Sequence, residues 1–161
     1  MASTKEKITA AALALFAQRG YDGVSVRDIC KQVGIKESSL YYHFPSKQAI
    51  LTTLLSHFEN RAAEGMAQLE QALGNQQGPW GQVSYRMVCQ AFFEGYLMDP
   101  FCNQVLRLLQ MEQFHNPDLG EIYERWMFRV PLAFQGRMFT ALVGLGLLHP
   151  ATGEDLAVAF Y

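Results

Sequence analysis

Residues 25–44 read SVRDICKQVGIKESSLYYHF, and this stretch predicts two short helices joined by a tight turn. Ser25 can cap the first helix, and Asp28, three residues later, can reach back to it as in a capping box. Gly34 follows the last apolar residue, where a glycine favours a left-handed helix end. The second helix is expected over about residues 37–43. Two helices of about eight residues around a glycine turn have the dimensions of a helix-turn-helix.

The outer face of the second helix carries hydroxyl and aromatic side chains. Steps of about 100° per residue from an inward-facing Leu40 place Ser38 and Tyr42 on the far side. Ser39 and Tyr41 flank them. Small side chains allow close approach to a DNA groove, hydroxyls bond base edges or phosphates, and aromatic rings contact thymine methyl groups. The alternative is that the two tyrosines simply pack against the next helix, but their place within a helix-turn-helix favours DNA binding.

Helical periodicity continues on both sides of this motif. Apolar residues at i, i+4, i+7 and i+8 predict a helix over residues 4–19, closed by Gly20 as a left-handed cap. Pro45 ends the second motif helix. Ser46 can cap a long helix that continues to about Leu73.

The rest of the chain also has a helical pattern. The glycine-rich residues 74–81 predict a loop, and the Asp-Pro and Asn-Pro pairs at 99–100 and 116–117 predict turns. Further helices are expected near 82–97, 101–114 and 118–147, the last bent around Pro131, and a final helix begins after a Thr152 cap. Since no alternating strand pattern occurs, the fold class is all-α.

Charge is distributed unevenly along the chain. Residues 1–50 carry seven Lys and Arg against four Asp and Glu, whereas residues 51–161 carry six Arg and no Lys against eleven acids. The first part is therefore positive and the second negative, although the whole chain has a net charge of only −2. This asymmetry indicates that the N-terminal part faces nucleic acid.

The cysteine spacing, the N-terminal residues and the length of the apolar runs bear on metal binding and cellular location. Cys30, Cys89 and Cys102 have no metal-ligand spacing and sit among apolar neighbours, so reduced, buried thiols are expected. The N-terminus lacks a signal-peptide pattern, and no apolar run approaches the ~20 residues of a membrane span. We expect a cytoplasmic protein without a membrane partner, cofactor or metal.

The segment VGIKESSLYYHFPSK at 33–47, preceded by FAQRGYDGVSVRDI at 16–29, resembles the DNA-binding domain of the TetR family. The resemblance covers about residues 4–55. It implies double-stranded operator DNA as the partner and assigns contacts to particular positions. Phosphate or sugar contacts are expected from Lys47, Tyr41, Tyr42 and His43, and sequence readout from Arg27, Glu37, Ser38 and Ser39.

Two positions depart from the family pattern. Lys36 replaces a common capping Ser, whose loss costs ~1 kcal/mol, and its ammonium is expected to meet a phosphate instead. Glu37 stands where Lys, Arg, Gln or Pro is usual. An acid there is repelled by phosphates unless it accepts from a cytosine amino group. The alternative, which we favour, is that Glu37 only satisfies the helix dipole.

One helix-turn-helix reads few base pairs, so a homodimer on a palindromic operator is expected. The resemblance implies a DNA-binding domain over 1–50 and a helical effector-binding and dimerisation domain over 51–161. Dimer contacts would come from Val130 to Leu148 and from the segment starting at Glu154. We expect residues beyond Tyr161 to complete that last helix.

An aromatic- and Met-rich stretch follows the motif. Each such residue is more often core than pocket, but together they would line an apolar, adaptable cavity. The resemblance implies that a small hydrophobic effector binds there and lowers operator affinity. The candidate ligand-binding residues are Phe92, Phe93, Tyr96, Met111, Phe114, His115, Tyr123, Trp126 and Met127.

These patterns predict a DNA-binding transcriptional regulator, a repressor released by its effector. A ligand-independent architectural or constitutive DNA-binding protein is the first alternative. An all-α enzyme is a remote one, because a di-iron bundle needs two Glu-x-x-His units and the chain has one, at 112–115. The four histidines also lack zinc-site spacing.

Overall fold

The computed structural model of the chain describes residues 2–74, residue 90 and residues 92–144. Every regular element in these ranges is helical, which confirms the all-α prediction. Two single turns, Phe93–Leu97 and Arg125–Arg129, are π-helical. The α-helices are α1 (Thr4–Arg19), α2 (Val26–Val33), α3 (Glu37–His43), α4 (Lys47–Gly74), α5 (Pro100–Glu112), α6 (Pro117–Glu124) and α7 (Val130–Gly144).

The predicted limits of α1, α2 and α3 are confirmed, and so is the capping box of α2. The Asp28 N–H donates to Ser25 Oγ at 3.2 Å, and the Ser25 N–H donates to Asp28 Oδ2 at 2.8 Å. The Ser25 hydroxyl also donates to Asp28 Oδ2, at 2.5 Å, and this bond together with the one from the Ser25 N–H lowers the pKa of Asp28. Gly34 closes α2 in the left-handed conformation, with φ +78° and ψ +35°. The turn between α2 and α3 therefore forms as the sequence predicts.

Gly20 closes α1 in a different way from the one predicted. Its φ is +74°, but its ψ of 169° lies outside the left-handed helical region. This combination of angles is essentially restricted to glycine. A Cβ at this position would lie 2.8 Å from Glu112 Oε1 of α5. The conformation brings the chain after α1 close against α5, which a left-handed helix end does not require.

The Asp-Pro and Asn-Pro pairs predicted as turns are helix starts. Asp99 Oδ1 accepts from the N–H of Phe101 at 3.1 Å and of Cys102 at 2.9 Å. Asn116 caps α6 in the same manner, through two backbone N–H groups. In both helices the proline occupies the first turn, where its missing N–H costs no hydrogen bond. Helix α5 therefore begins one residue earlier than predicted and ends two residues earlier.

The helix predicted over 118–147 is divided into α6, a π-helical turn and α7. The π-helical turn Arg125–Arg129 ends two residues before Pro131. Proline lacks the N–H for the α-helical bond and its ring crowds the preceding turn, so the regular α-helical hydrogen bonding is interrupted close to the predicted bend. The predicted loop at 74–81, most of the 82–97 helix, residues 145–147 and the final helix lie outside the described residues.

Helix α4 joins the two parts of the fold. It contacts α1 at one end of the molecule and α5 and α7 beyond it. Ile50, Leu51 and Leu54 of its first turns and Phe58 and Ala62 further along are all buried in one continuous hydrophobic core. The predicted domain boundary at residue 50 thus falls inside a helix. We call α1–α3 the head and α5–α7 the body.

Within the described ranges, the buried core contains no charged or polar side chain. In the same ranges, no helix combines the length and the apolar character that crossing a membrane requires.

Phe58 lies at the centre of an aromatic cluster. Its ring is fully buried, 6.2 Å from the ring of Tyr96 and 6.3 Å from that of Trp126. Phe92 lies 5.4 Å from Tyr96, whose hydroxyl donates to the Trp126 carbonyl at 2.8 Å. We call Phe58, Phe92, Tyr96 and Trp126 the aromatic cluster. It connects α4 to the π-helical turns on both sides of α5.

We expect Phe58→Ala to lower the free energy of unfolding by about 3–5 kcal/mol, because it leaves a cavity in this cluster. Urea denaturation followed by circular dichroism measures the change. Phe114→Ala is the matched control, since that ring is 87% exposed and its loss should change stability by less than about 0.5 kcal/mol. Equal losses for the two variants would contradict the central role of Phe58.

Candidate nucleic-acid interface

The two faces of α3 are placed as the sequence predicts. Leu40 is fully buried, and Phe44, which follows the helix, is also in the core. On the opposite side Ser38 is exposed, and Tyr42 is 85% exposed. Tyr41 is half exposed. The hydroxyl and aromatic face is therefore open to a ligand, and packing against α4 does not account for Tyr42.

The remaining predicted residues of this helix border that face. Ser39 and His43 are partly buried, and the His43 ring meets the Tyr42 ring edge-on with centroids 5.1 Å apart. Lys36 is exposed at the N-cap and makes no side-chain capping bond, as its departure from Ser predicts. Its side chain is available at the start of α3.

Arg27 and Glu37 form an ion pair that joins the starts of α2 and α3. Arg27 Nε lies 3.0 Å from Glu37 Oε1, with the Arg27 side chain 85% exposed. Neither predicted role for Glu37 included this contact. The available signal was opposite charge across the Gly34 turn, but sequence alone does not show that the two side chains meet. Such exposed pairs contribute only about 0–1 kcal/mol to stability.

Lys47, predicted to contact phosphate, is directed toward the loop between α1 and α2. Its Nζ donates to the carbonyl oxygens of Tyr21 and Val24, both at 2.9 Å. It also lies 4.0 Å from the centroid of the Tyr21 ring, a cation–π contact. An ammonium has three donors, so one donor remains for a phosphate oxygen after these two bonds.

The body also forms a hydrogen bond to the loop between α1 and α2. The Tyr21 N–H donates to Glu112 Oε1 of α5 at 2.8 Å, across 91 residues of sequence. The Tyr21 hydroxyl donates to Gln48 Oε1 at 2.9 Å, and burial, with the charge of Asp22, raises the pKa of Tyr21. Glu112 thus bonds directly to the head, a role that its Glu-x-x-His spacing does not indicate.

The structure divides the predicted ligand-binding residues into two groups. Phe92, Tyr96 and Trp126 are buried together around Phe58, and two further members pack partly buried against the core, Tyr123 and Met127. The other four are exposed: Phe93, Met111, Phe114 and His115. Because α5 ends at Glu112, the last two lie in a surface turn instead of on an inward helix face.

Polar groups border the aromatic cluster on the α4 side. Glu59 Oε1 lies 3.4 Å from Trp126 Nε1, which donates to it, and 3.3 Å from Arg125 Nη1. This arrangement gives the cluster one carboxylate and one guanidinium at its edge. Both are candidates for orienting a polar group of a bound molecule.

The described cysteines are buried thiols, as predicted. Cys30 and Cys102 are free and buried. Burial, with the Asp99 carboxylate nearby, raises the pKa of Cys102 to about 12, so its thiol is protonated and unreactive at neutral pH. Cys89 lies outside the described residues.

Helices α2 and α3, with the turn at Gly34 and an exposed hydroxyl and aromatic face, form a helix-turn-helix, a motif that binds DNA in many proteins. The family described as "Bacterial regulatory proteins, tetR family" matches residues 8–54. Residues 8–54 are therefore a DNA-binding domain of the TetR family, which confirms the resemblance seen in the sequence.

Similar proteins fall into two kinds. A curated relative from Staphylococcus aureus strain Newman, the "Biofilm operon icaADBC HTH-type negative transcriptional regulator IcaR", is 54% identical over 46 residues. That match covers 29% of this chain and only 25% of the relative. It therefore concerns the head and the start of α4.

Solved structures match over the whole fold at low identity. A TetR-family transcriptional regulator from Marinobacter aquaeolei VT8 has a TM-score of 0.68 at 24% identity, covering 98% of this chain and 72% of that one. A gamma-butyrolactone receptor described as ArpA-like has a TM-score of 0.67 at 18% identity, covering 96% and 72%. The shared architecture thus includes the body as well as the head.

We expect Lys47→Met to lower the free energy of unfolding by about 2 kcal/mol without DNA, because two charged hydrogen bonds to the α1–α2 loop are lost. Urea denaturation measures this. Lys36→Met is the matched control, since Lys36 makes no capping bond, and should change stability by less than about 0.5 kcal/mol. Unchanged stability for Lys47→Met, with weaker and less salt-dependent DNA binding, would show instead that Lys47 serves phosphate alone.

Proposed function

We propose that this protein is a transcriptional repressor that binds double-stranded operator DNA through α3. The observation that carries the proposal is the exposed face of Ser38, Tyr41 and Tyr42 on a TetR-family helix-turn-helix. The repressor assignment is supported by IcaR, which is named a negative regulator and matches the head. A cytoplasmic location is part of this proposal, because a repressor must reach the DNA that it regulates.

In the proposed complex α3 lies in the major groove. Ser38 and Ser39 reach base edges, and the tyrosines contact thymine methyl groups, sugars or phosphates with His43 beside them. Lys36 meets a phosphate at the start of the helix, and the remaining donor of Lys47 meets another. In this arrangement Lys36 and Lys47, at the edge of the face, orient the protein on the DNA. The serines at its centre read the base sequence.

The functional unit in this proposal is a homodimer on a palindromic operator. A single recognition helix covers few base pairs, so two copies about one DNA turn apart (~34 Å) supply the affinity. The body provides the dimer contacts, with the 130–148 segment and the residues from Glu154 as candidates. In this proposal residues 1–50 serve DNA binding and residues 51–161 serve effector binding and dimerisation, with α4 running across the boundary.

We also propose that a small hydrophobic effector occupies the body near the aromatic cluster and releases the DNA. The gamma-butyrolactone receptor with the same architecture is named for a small molecule, which supports this part. The effector must prefer the DNA-incompetent arrangement, and couplings of this kind are typically 1–3 kcal/mol. The Tyr21 to Glu112 hydrogen bond is the candidate connection between body and head.

Operator binding is tested by selecting sequences from a pool of random duplex DNA. We expect an inverted repeat to be enriched. On that DNA, Tyr42→Ala should weaken binding about tenfold, because the ring lies on the recognition face and its loss removes groove contacts worth about 1–3 kcal/mol. Fluorescence anisotropy at two salt concentrations measures the affinities.

Phe114→Ala is the control for Tyr42→Ala, since it removes an equally exposed aromatic ring outside the recognition face. It should leave operator affinity unchanged. If no sequence is enriched, or if both variants bind as well as the wild type, the proposed recognition face is wrong.

We expect Glu112→Ala to change operator affinity at least fivefold, although Glu112 lies on α5 and outside the recognition face. The reason is that its carboxylate fixes the Tyr21 backbone, and a coupling of 1–3 kcal/mol corresponds to about 5–150-fold. The same anisotropy assay measures it, with Glu121→Ala, an exposed acid of α6, as the control. Equal affinities for Glu112→Ala and wild type would contradict this connection.

A screen of hydrophobic compounds for release of the selected DNA tests the effector. Release at saturating compound supports the regulated repressor. A protein that keeps its DNA against every compound, with an intact inverted-repeat preference, corresponds to constitutive DNA binding.

A further inference from the structure

We propose that Glu37 is a positioning residue for Arg27, which reads a guanine. The Glu37 carboxylate holds the Nε edge of the guanidinium, so that the two terminal nitrogens face the DNA. This inference rests on the proposed function, because it names the base that the recognition face selects and the residue that orients its reader.

The geometry of the pair supports this division of roles. Arg27 Nε lies 3.0 Å from Glu37 Oε1, and this contact uses one of the five N–H groups of the guanidinium. The four N–H groups on the two terminal nitrogens remain. These nitrogens can donate together to O6 and N7 of guanine, the commonest specific arginine contact in the major groove.

The positions of the two residues place the pair at the DNA side of the head. Arg27 is the second residue of α2 and Glu37 is the first of α3. The pair therefore links the N-terminal ends of α2 and α3. In helix-turn-helix proteins it is the N-terminal residues of the recognition helix that contact base edges.

The exposure of the pair argues against a role in stability. The Arg27 side chain is 85% exposed, and an ion pair so open to water is largely screened and stabilises a fold little. Its effect is instead to restrict a flexible side chain before binding, which lowers the entropy lost when Arg27 is ordered on DNA.

The pair also resolves the unfavourable position of Glu37. An unpaired carboxylate at the start of α3 would be repelled by the phosphates of bound DNA. Paired with Arg27, it faces a cation within the protein. Glu37 then has no need of a cytosine amino group, the contact that sequence reasoning offered for it.

The test is selection from a random duplex pool with the wild type, Arg27→Ala, Glu37→Ala and the double variant. We expect each wild-type half-site to contain a G·C pair whose preference Arg27→Ala abolishes. Glu37→Ala should lower the preference for that same pair at least threefold and leave other positions unchanged. The double variant should match Arg27→Ala, because Glu37 acts only through Arg27.

Two variants serve as controls for charge. Lys7→Ala and Asp22→Ala each remove one exposed charge elsewhere in the head, and both should retain the wild-type sequence preference. Urea denaturation of all variants verifies that they are folded.

Several outcomes would overturn the inference. Loss of preference at a different base pair in Glu37→Ala would mean that Glu37 reads DNA itself, and an unaltered preference would mean that it has no part in readout. If Arg27→Ala weakens all sequences equally and reduces the salt dependence, Arg27 contacts phosphate. If the wild type enriches no sequence, the proposed function itself fails, and this inference fails with it.

Discussion

The backbone of Tyr21 is hydrogen-bonded to the rest of the protein at a point where α1 of the head also packs against α4 and α5. Its N–H donates to Glu112 of the body, and its carbonyl accepts from Lys47 of α4. Both partners are charged, which makes these bonds stronger than ordinary backbone contacts. Gly20 makes the close approach possible, since its backbone angles are essentially restricted to glycine and a Cβ there would strike the Glu112 carboxylate. The placement of α2 and α3 therefore depends on groups outside both helices.

Helix α4 adds a second constraint on the same placement. Six of its side chains between Ile50 and Met66 are buried in one continuous core, and it contacts α1, α5 and α7. A packed core has little room to deform gradually. A shift of the body would consequently move α4 and alter the hydrogen bond from Lys47 to the Tyr21 carbonyl. The hydrogen bond from the Tyr21 N–H to Glu112 would change as well, because Glu112 moves with α5. In the proposed repressor, these two connections give an effector in the body a physical route to α3.

The parts of the fold that could be predicted are those set by neighbouring residues. Capping groups such as Ser25 and Asp28, the glycine at 34 and the periodicity around Leu40 act over at most a few residues, and they gave correct limits for α1–α3. The contacts of Arg27, Lys47 and Glu112 join residues 10, 26 and 91 positions apart. Local pattern does not determine which distant side chains meet. Likewise, Phe114 lies at the surface because α5 ends at Glu112, although the aromatic- and Met-rich composition of this stretch suggested a pocket.

These long-range contacts change how the head is expected to discriminate among DNA sequences. Of the three cations predicted at the interface, Arg27 is paired with Glu37 and Lys47 has two donors bound within the protein, which leaves Lys36 exposed without a capping bond. Sequence-independent affinity comes mainly from neutralising phosphates, and the Glu37 carboxylate offsets one of the three charges that could supply it. Discrimination in the proposed complex then rests on the α3 face, on the Arg27–Glu37 pair beside it, and on holding two such faces in register.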